Sequence, residues 1–397
     1  MTPAPLRATR SAVLAALAAL CLLCTLGASA ASARNATPLA PWGGTSAANP
    51  VAGVKIWREG PRWGLAAGQI AQWLGYSNPR ASSVFGDQLS WDGFSRLVSV
   101  QKPRIGPDAQ HKIDLMMKVA SQPETKRFGG FSGSGWKLED GVRRLLQRAE
   151  QNAPSQVPQL SIYRLNHVRC GGHSDSSADA ASYRAWINRF VAGIGRRPAV
   201  VFLEQDALIT TPCLSHGGLT VRMGEMRYAA QRLAALPHVV AYMDAGASDA
   251  VPAGRTVQLL RSAGVRYIHG FFLNSTHFSW TSSEMTFGRR VSRGLGGTHF
   301  AVNTAVNGNG PLRPASRVRS GNEVLCNPAG RALGPRPTTA TGDPRVDAFV
   351  WIGNIGRSGG KCGVSRLGTG TFDPDLALGL ASRANERLGP AYPSRPY

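Results

Sequence analysis

The stretch Ala199-Val200-Val201-Phe202-Leu203-Glu204-Gln205-Asp206-Ala207-Leu208 decides the fold. It opens with an unbroken apolar run rich in β-branched and aromatic residues. A run of that length fits a strand covered on both faces, as in a parallel sheet. Two carboxylates stand where the run stops. In barrels of parallel strands the residues just past the strand ends line the active site. Asp206 is therefore the first candidate for a catalytic acid.

Outward from this strand the chain alternates. Before it, Val142, Leu145, Leu146 and Ala149 recur at helical spacing, and Leu160-Ser161-Ile162-Tyr163 reads as a strand. A helix is expected over residues 180–194, with Trp186, Ile187, Phe190, Val191 and Ile194 on one face. After it come a helix over 223–236, a strand ending at Asp244, a helix over 256–263 and a strand over 267–273 that ends at Asn274. A helix over 283–294 leads to His299-Phe300-Ala301-Val302-Asn303, and Ala348-Phe349-Val350-Trp351-Ile352 is the last clear strand. This alternation argues for an α/β fold with a parallel sheet. Strand after strand ends in a polar residue: Tyr163, Glu204, Asp244, Asn274, Asn303. Such clustering at one rim is what a parallel (β/α) barrel with a site at the C-terminal face of its strands should show. Residues 58–110 show no clean period.

The totals agree with one domain. The chain has 397 residues, is 43% hydrophobic and carries a formal net charge of +22. A field this positive favours anionic partners, although heavy use of Arg, Ala and Gly is also what a GC-rich bacterial genome produces. Residues 1–30 read as a secretory signal: Arg7 and Arg10, an apolar stretch over 11–26, then small residues around Ala28-Ser29-Ala30. Residues 31–48 read as a disordered leader and 49–397 as a single domain. No membrane span is expected. The four cysteines beyond the signal, Cys170, Cys213, Cys326 and Cys362, point to two disulfides in an oxidising compartment, Cys170–Cys213 and Cys326–Cys362 by nearest-neighbour pairing. No CxxC pair or clustered histidines accompany them, so no metal or cofactor is expected.

Several segments, in order, resemble family six glycoside hydrolases, the inverting cellulases. They are Tyr183-Arg184-Ala185-Trp186-Ile187; Leu203-Glu204-Gln205-Asp206-Ala207-Leu208; Tyr242-Met243-Asp244-Ala245-Gly246; Gly270-Phe271-Phe272-Leu273-Asn274; Asn307-Gly308-Asn309-Gly310-Pro311; Cys326-Asn327-Pro328-Ala329-Gly330; and Thr341-Gly342-Asp343-Pro344. The resemblance covers roughly residues 120–385. It implies a distorted barrel with a loop-built cleft or tunnel, and the two disulfides. By resemblance Asp206 stands at the proton donor, Asp244 at a second acidic position, and Asn274 where an asparagine holds sugar hydroxyls.

The departures bear on mechanism. After Tyr163 the family has Tyr-Asp-Leu-Pro-x-Arg-Asp-Cys; here it reads Tyr163-Arg164-Leu165-Asn166-His167-Val168-Arg169-Cys170. Arg169 thus replaces the aspartate that tunes the donor, and a guanidinium there would pull the Asp206 pKa down. By resemblance Gly353, Arg357 and Gly359 replace a lysine, a glutamate and the proposed base aspartate. Ala247 and Ala250 replace a histidine and a tryptophan, and Gly130-Phe131 an Asp-Trp pair. Asp175, Asp179 and Asp249 are other carboxylates able to serve as base. Arg164, Arg169 and Arg357, three acid-to-arginine exchanges around one cleft, suggest an anionic ligand.

The expected protein is a secreted bacterial glycoside hydrolase, a monomer. Its partner is a polysaccharide, β-1,4-glucan or a related polymer, anionic ones included. Asp206 is its acid, with Tyr163, Arg169, Asp244, Asn274 and Arg357 around the substrate. Nucleic acid is not an expected partner. A second reading is a catalytically impaired glycan binder, and a third a basic envelope- or nucleic-acid-binding protein. The histidines His167, His173, His269, His277 and His299 fit no zinc motif and are expected to be structural. Phe278 and Trp280 suit either sugar stacking or core packing.

Overall fold

The structure is a computed structural model that describes residues 49–62, 64–77, 89–165, 177–311, 325–353 and 355–384. All of these belong to one unit, Ala40–Tyr397. Its strands are β1 (Lys55–Ile56), β2 (Lys126–Gly129), β3 (Gln156–Val157), β4 (Gln159–Tyr163), β5 (Ala199–Leu203), β6 (Val239–Asp244), β7 (Gly270–Leu273), β8 (His299–Asn303) and β9 (Val346–Val350). Seven form one sheet in the order β2-β4-β5-β6-β7-β8-β9, every neighbouring pair parallel. β1 and β3 form a small parallel pair at its side.

β5 is buried at all five positions, as its unbroken apolar run requires. Helices Gly135–Asn152, Ser177–Ile194, His216–Ala234, Ala253–Ala263 and Thr281–Gly294 alternate with the strands from β2 to β8. Each buries an apolar stripe against the sheet. Tyr183, Trp186, Ile187, Phe190, Val191 and Ile194 do so for the second helix, and Leu138, Val142, Leu145, Leu146 and Ala149 for the first. Each large apolar side chain so buried contributes about 1.5–3 kcal/mol of transfer free energy. The expected helix over 223–236 begins earlier, at His216, because Ser215 caps it by accepting the Gly218 N–H at 3.1 Å.

The sheet curls into an open barrel. β2 and β9 are its two edges and share no ladder. They approach closely enough for the Thr125 N–H to donate to the Trp351 carbonyl at 3.0 Å. A second core covers this side. Helices Leu65–Trp73, Trp91–Gln101, Pro107–Ala120 and Pro374–Ser382 pack there with Trp351, Ile355 and Leu333. Residues 58–110, which showed no period, supply much of this core. The face of Leu65–Trp73 is Ala66, Ala67, Ile70 and Ala71, and alanine gives little hydrophobic contrast to read.

The barrel interior is partly polar at its N-terminal end. Asp347 of β9 accepts from the Tyr242 hydroxyl at 2.9 Å and is bonded by His269 Nε2 at 2.8 Å and His299 Nδ1 at 2.7 Å. These two histidines lie at the end of the strands away from Asp206. Among the described residues no helix is long and apolar enough to cross a membrane. Cys326 and Cys362 are joined, with Cα atoms 5.9 Å apart. Cys213 is disulfide-bonded, and its expected partner Cys170 lies outside the described residues.

Candidate active site

All five polar strand ends stand on the C-terminal rim. Tyr163, Asp244 and Asn303 close β4, β6 and β8, and Glu204 and Asn274 directly follow β5 and β7. Among the described residues four non-glycines have a left-handed backbone. Three of them are here: Glu204 at φ 55°, Asp206 at 66° and Asn274 at 68°. Such conformations cost about 1–3 kcal/mol each and persist only where neighbours hold them. The holding bonds are visible. Glu204 Oε2 accepts the Arg164 and Leu165 N–H groups at 2.9 and 2.8 Å. The Asp206 N–H donates to Asp244 Oδ2 at 3.1 Å. The Asn274 amide donates to the Ser279 and Asn303 carbonyls at 3.2 and 3.1 Å, and its Oδ1 accepts the Ser279 N–H at 3.2 Å.

These contacts sort the candidates. Glu204, fully buried, ties the loop after β4 to the end of β5. Asn274 is also fully buried, with both amide hydrogens and its oxygen engaged by the backbone. Through these bonds it locks the loop after β7. Asp244 is fully buried too and accepts from Asp206 N–H, from Gly246 N–H at 3.3 Å and from the Ser275 hydroxyl at 3.0 Å. Of the two aspartates only Asp206 is half-buried. Its Oδ1 is fixed by the Thr276 hydroxyl at 2.6 Å.

Burial dominates the electrostatics of Asp206. Burial pushes its carboxyl above the ordinary range, against bonds from Thr276 and Ser275 and the charges of His277 and Arg127. Burial, and then the charge of Asp206, push Asp244 well above it. Two neighbouring carboxyls with little water around them resist double ionisation and titrate as a pair. Arg169, from which a lowered pKa was expected, lies outside the described residues, as do Asp175, His167 and His173.

Three parts of the candidate site take shape only in the fold. One is a pair of loop residues, His277 and Asp249, bonded at 2.9 Å. Burial pulls the His277 pKa down, but the bond to Asp249 and the charges of Asp249, Asp206 and Glu284 win and hold it up. A short-range signal existed only in hindsight, because the two residues come from different strand loops. Behind them sits Glu284, fully buried. It accepts the Ser248 N–H at 2.9 Å, and its pKa is raised by burial to about 7. Glu284 thereby fastens the loop that carries Asp249.

The second part is Arg127. It sits in β2 opposite Ser161 of β4, with its guanidinium 4.8 Å from the centre of the Tyr163 ring. Burial lowers its pKa, opposed by the nearby Tyr163 and Asp206 and reinforced by Arg357. Arg357 donates to the Gly370 carbonyl at 2.8 Å. Arg164 instead turns toward the helix side and reaches Ser182 Oγ at 3.4 Å, so it is not part of this group. The third part is Phe131, 71% exposed just past β2, its ring edge against Gly129 near the Tyr163 carbonyl. Phe278 is buried, and Trp280 packs over the backbone of Gly310, whereas Phe131 and Trp136 are exposed. Asp179 is exposed in the first turn of its helix.

Gly359 offers no functional side chain. Its N–H donates to Asn327 Oδ1 at 2.8 Å beside the Cys326–Cys362 bridge. The described rim therefore has one half-buried carboxyl positioned to exchange a proton, a buried carboxyl behind it, an aromatic face and a basic flank. That set suits protonation of a bridging oxygen in a ring-shaped, hydroxyl-rich substrate.

Comparison with known proteins agrees with this geometry. The family profile described as Glycosyl hydrolases family 6 matches residues 97–377. Endoglucanase A of Thermobispora bispora is 35% identical over 67% of this chain, and Endoglucanase A of Cellulomonas fimi 32% identical over 68%. The match spans 56% of the length of each of those two relatives. Among solved structures, the endoglucanase Cel6 of Mycobacterium tuberculosis, in complex with a thio-linked cellobioside, aligns with a TM-score of 0.65 at 28% identity. That alignment covers 85% of this chain and 99% of that one. Endoglucanase CEL6B of Humicola insolens, at 16% identity, shares the fold with a TM-score of 0.64. Fold, rim and sequence profile together place this chain in glycosyl hydrolases family 6.

Proposed function

We propose that this protein is an exported glucanase that cleaves β-1,4-linked glycan by inversion, with Asp206 as general acid. The observation that carries the reading is the setting of Asp206: half-buried, held by Thr276 and Asp244, with burial raising its pKa. In the proposed step that proton passes to the bridging oxygen as the bond to the anomeric carbon breaks. Water enters from the opposite face, and its own proton leaves to a base. Asp244 acts through Asp206, as a positioning and tuning residue. Phe131 supplies a stacking face and Tyr163 a wall of the same cleft.

Asp206→Asn tests the acid. It should lower reducing-sugar release from β-1,4-glucan at least 100-fold. Proton NMR of fresh product should show the α anomer first. Full activity in the variant, or β product, would remove the reading.

One observation favours a second reading. Gly359, where the family's proposed base aspartate is expected by resemblance, carries no carboxylate, so the protein would bind glycan without turning it over. Glycan binding with no sugar release by the wild type, across a panel of β-glucans, selects that reading.

A further inference from the structure

The chain pairs its guanidinium groups where carboxylates are within reach. Arg148 bonds Glu59, Arg189 bonds Glu139 and Arg289 bonds Asp343. Arg127 departs from that habit. Among the described residues its guanidinium makes no hydrogen bond and no ion pair, and its Nε is buried and unpartnered. What it has is the Tyr163 ring below it, the Asp206 carboxyl within electrostatic reach, and a second guanidinium, Arg357, close enough to repel it. Glu124 is near Arg357 and Lys126 without bonding to either, and burial pushes its carboxyl up, which weakens it as a counter-charge. Lys126 spends its charge on Glu59.

A guanidinium with a buried donor left over, and a second guanidinium within electrostatic reach, form an arrangement that an anion stabilises. The guanidinium fork matches a carboxylate with two parallel N–H bonds. In a β-1,4-linked sugar chain the group carried on C5 is a hydroxymethyl in glucose and a carboxylate in glucuronate. The two rings are otherwise alike, so a uronate lies in a glucan cleft without new space. We infer that the cleft holds an acidic β-linked glycan, with a uronate carboxylate seated on Arg127 beside Asp206 and Arg357 at its rim. This rests on the reading of the rim as a glycan site and adds to it the class of sugar.

The test is isothermal titration of the Asp206→Asn protein, which does not turn over, with two hexamers of equal length, one of β-1,4-linked glucose and one of β-1,4-linked glucuronate. The uronate should bind at least tenfold tighter, and less so as salt rises. Arg127→Gln should bring the uronate down to the affinity of the glucose hexamer. Arg127→Lys keeps the charge without the fork and should lose about threefold to tenfold, which serves if the glutamine variant folds poorly. Equal binding of the two hexamers, tighter binding of glucose, or a uronate preference that survives both substitutions overturns the inference. A sulfated glucan that outcompetes the uronate also overturns it. Binding of the glucose hexamer without any acidic preference sinks this inference alone. Failure to bind either hexamer sinks the glycan reading as well.

Discussion

Replacing Glu284 with glutamine should make this protein more stable in mild alkali and leave it unchanged in acid. Glu284 is fully buried, and its Oε1 takes the Ser248 N–H at 2.9 Å. Burial lifts its pKa from the ordinary 4.5 to about 7. A group whose folded pKa is raised binds its proton more tightly in the native state. Its favourable contribution is complete below 4.5 and is lost as pH rises through 7. The difference amounts to about 3 kcal/mol at pH 8, the free energy of keeping a buried charge. Glutamine retains an oxygen for Ser248 and carries no charge. The expected gain is therefore about 3 kcal/mol at pH 8 and about zero at pH 4, or about 5 °C in Tm at the higher pH for a domain of this size. Thermal unfolding at the two pH values reads both numbers. Equal Tm differences at pH 4 and pH 8, or a loss at pH 8, would refute the reasoning and mean that Glu284 stays charged with a counter-charge at hand.

Two further substitutions probe the site. Asp244→Asn keeps an acceptor for the Asp206 and Gly246 N–H groups and removes the charge that resists ionisation of Asp206. The pair's acid form is present below its raised pKa and lost above it, so the basic limb of the rate profile should move down by about 1 to 2 pH; an unmoved limb rejects the pairing. Gly246→Ala puts a side chain on a backbone at φ 76°, where its Cβ would collide with Ile209 Cγ2. The Gly246 carbonyl also accepts the Asn274 N–H at 2.7 Å. Chemical denaturation should show a loss of about 1–3 kcal/mol, with activity falling alongside it, and wild-type stability would contradict the tight turn.

Much of the architecture was legible because burial writes itself into local periodicity. β5, β8 and the helix Ser177–Ile194 stand where their apolar patterns put them. β2 was not legible: its sequence Lys-Arg-Phe-Gly is that of a charged edge strand, which need not alternate. The polar strand ends were legible as a rim, but the bonds they make were not. Only the fold shows that the Asn274 amide bonds two backbone carbonyls and locks a loop. Only there, too, does burial raise the Asp206 pKa. Burial is a property of the packed rim and has no signature in neighbouring residues.

The order of strands and helices from β4 to β9 and the position of the rim that carries Asp206 were determined by sequence alone. Each follows from apolar runs and the residues that end them. Which charges share the cleft was decided by tertiary structure. The sheet curls until the residue before β2 bonds the residue after β9, and that closure brings Arg127 within electrostatic reach of Arg357 and Asp206. Electrostatic interaction falls with distance in space and takes no account of separation along the chain. Such a grouping therefore exists only once the barrel has formed.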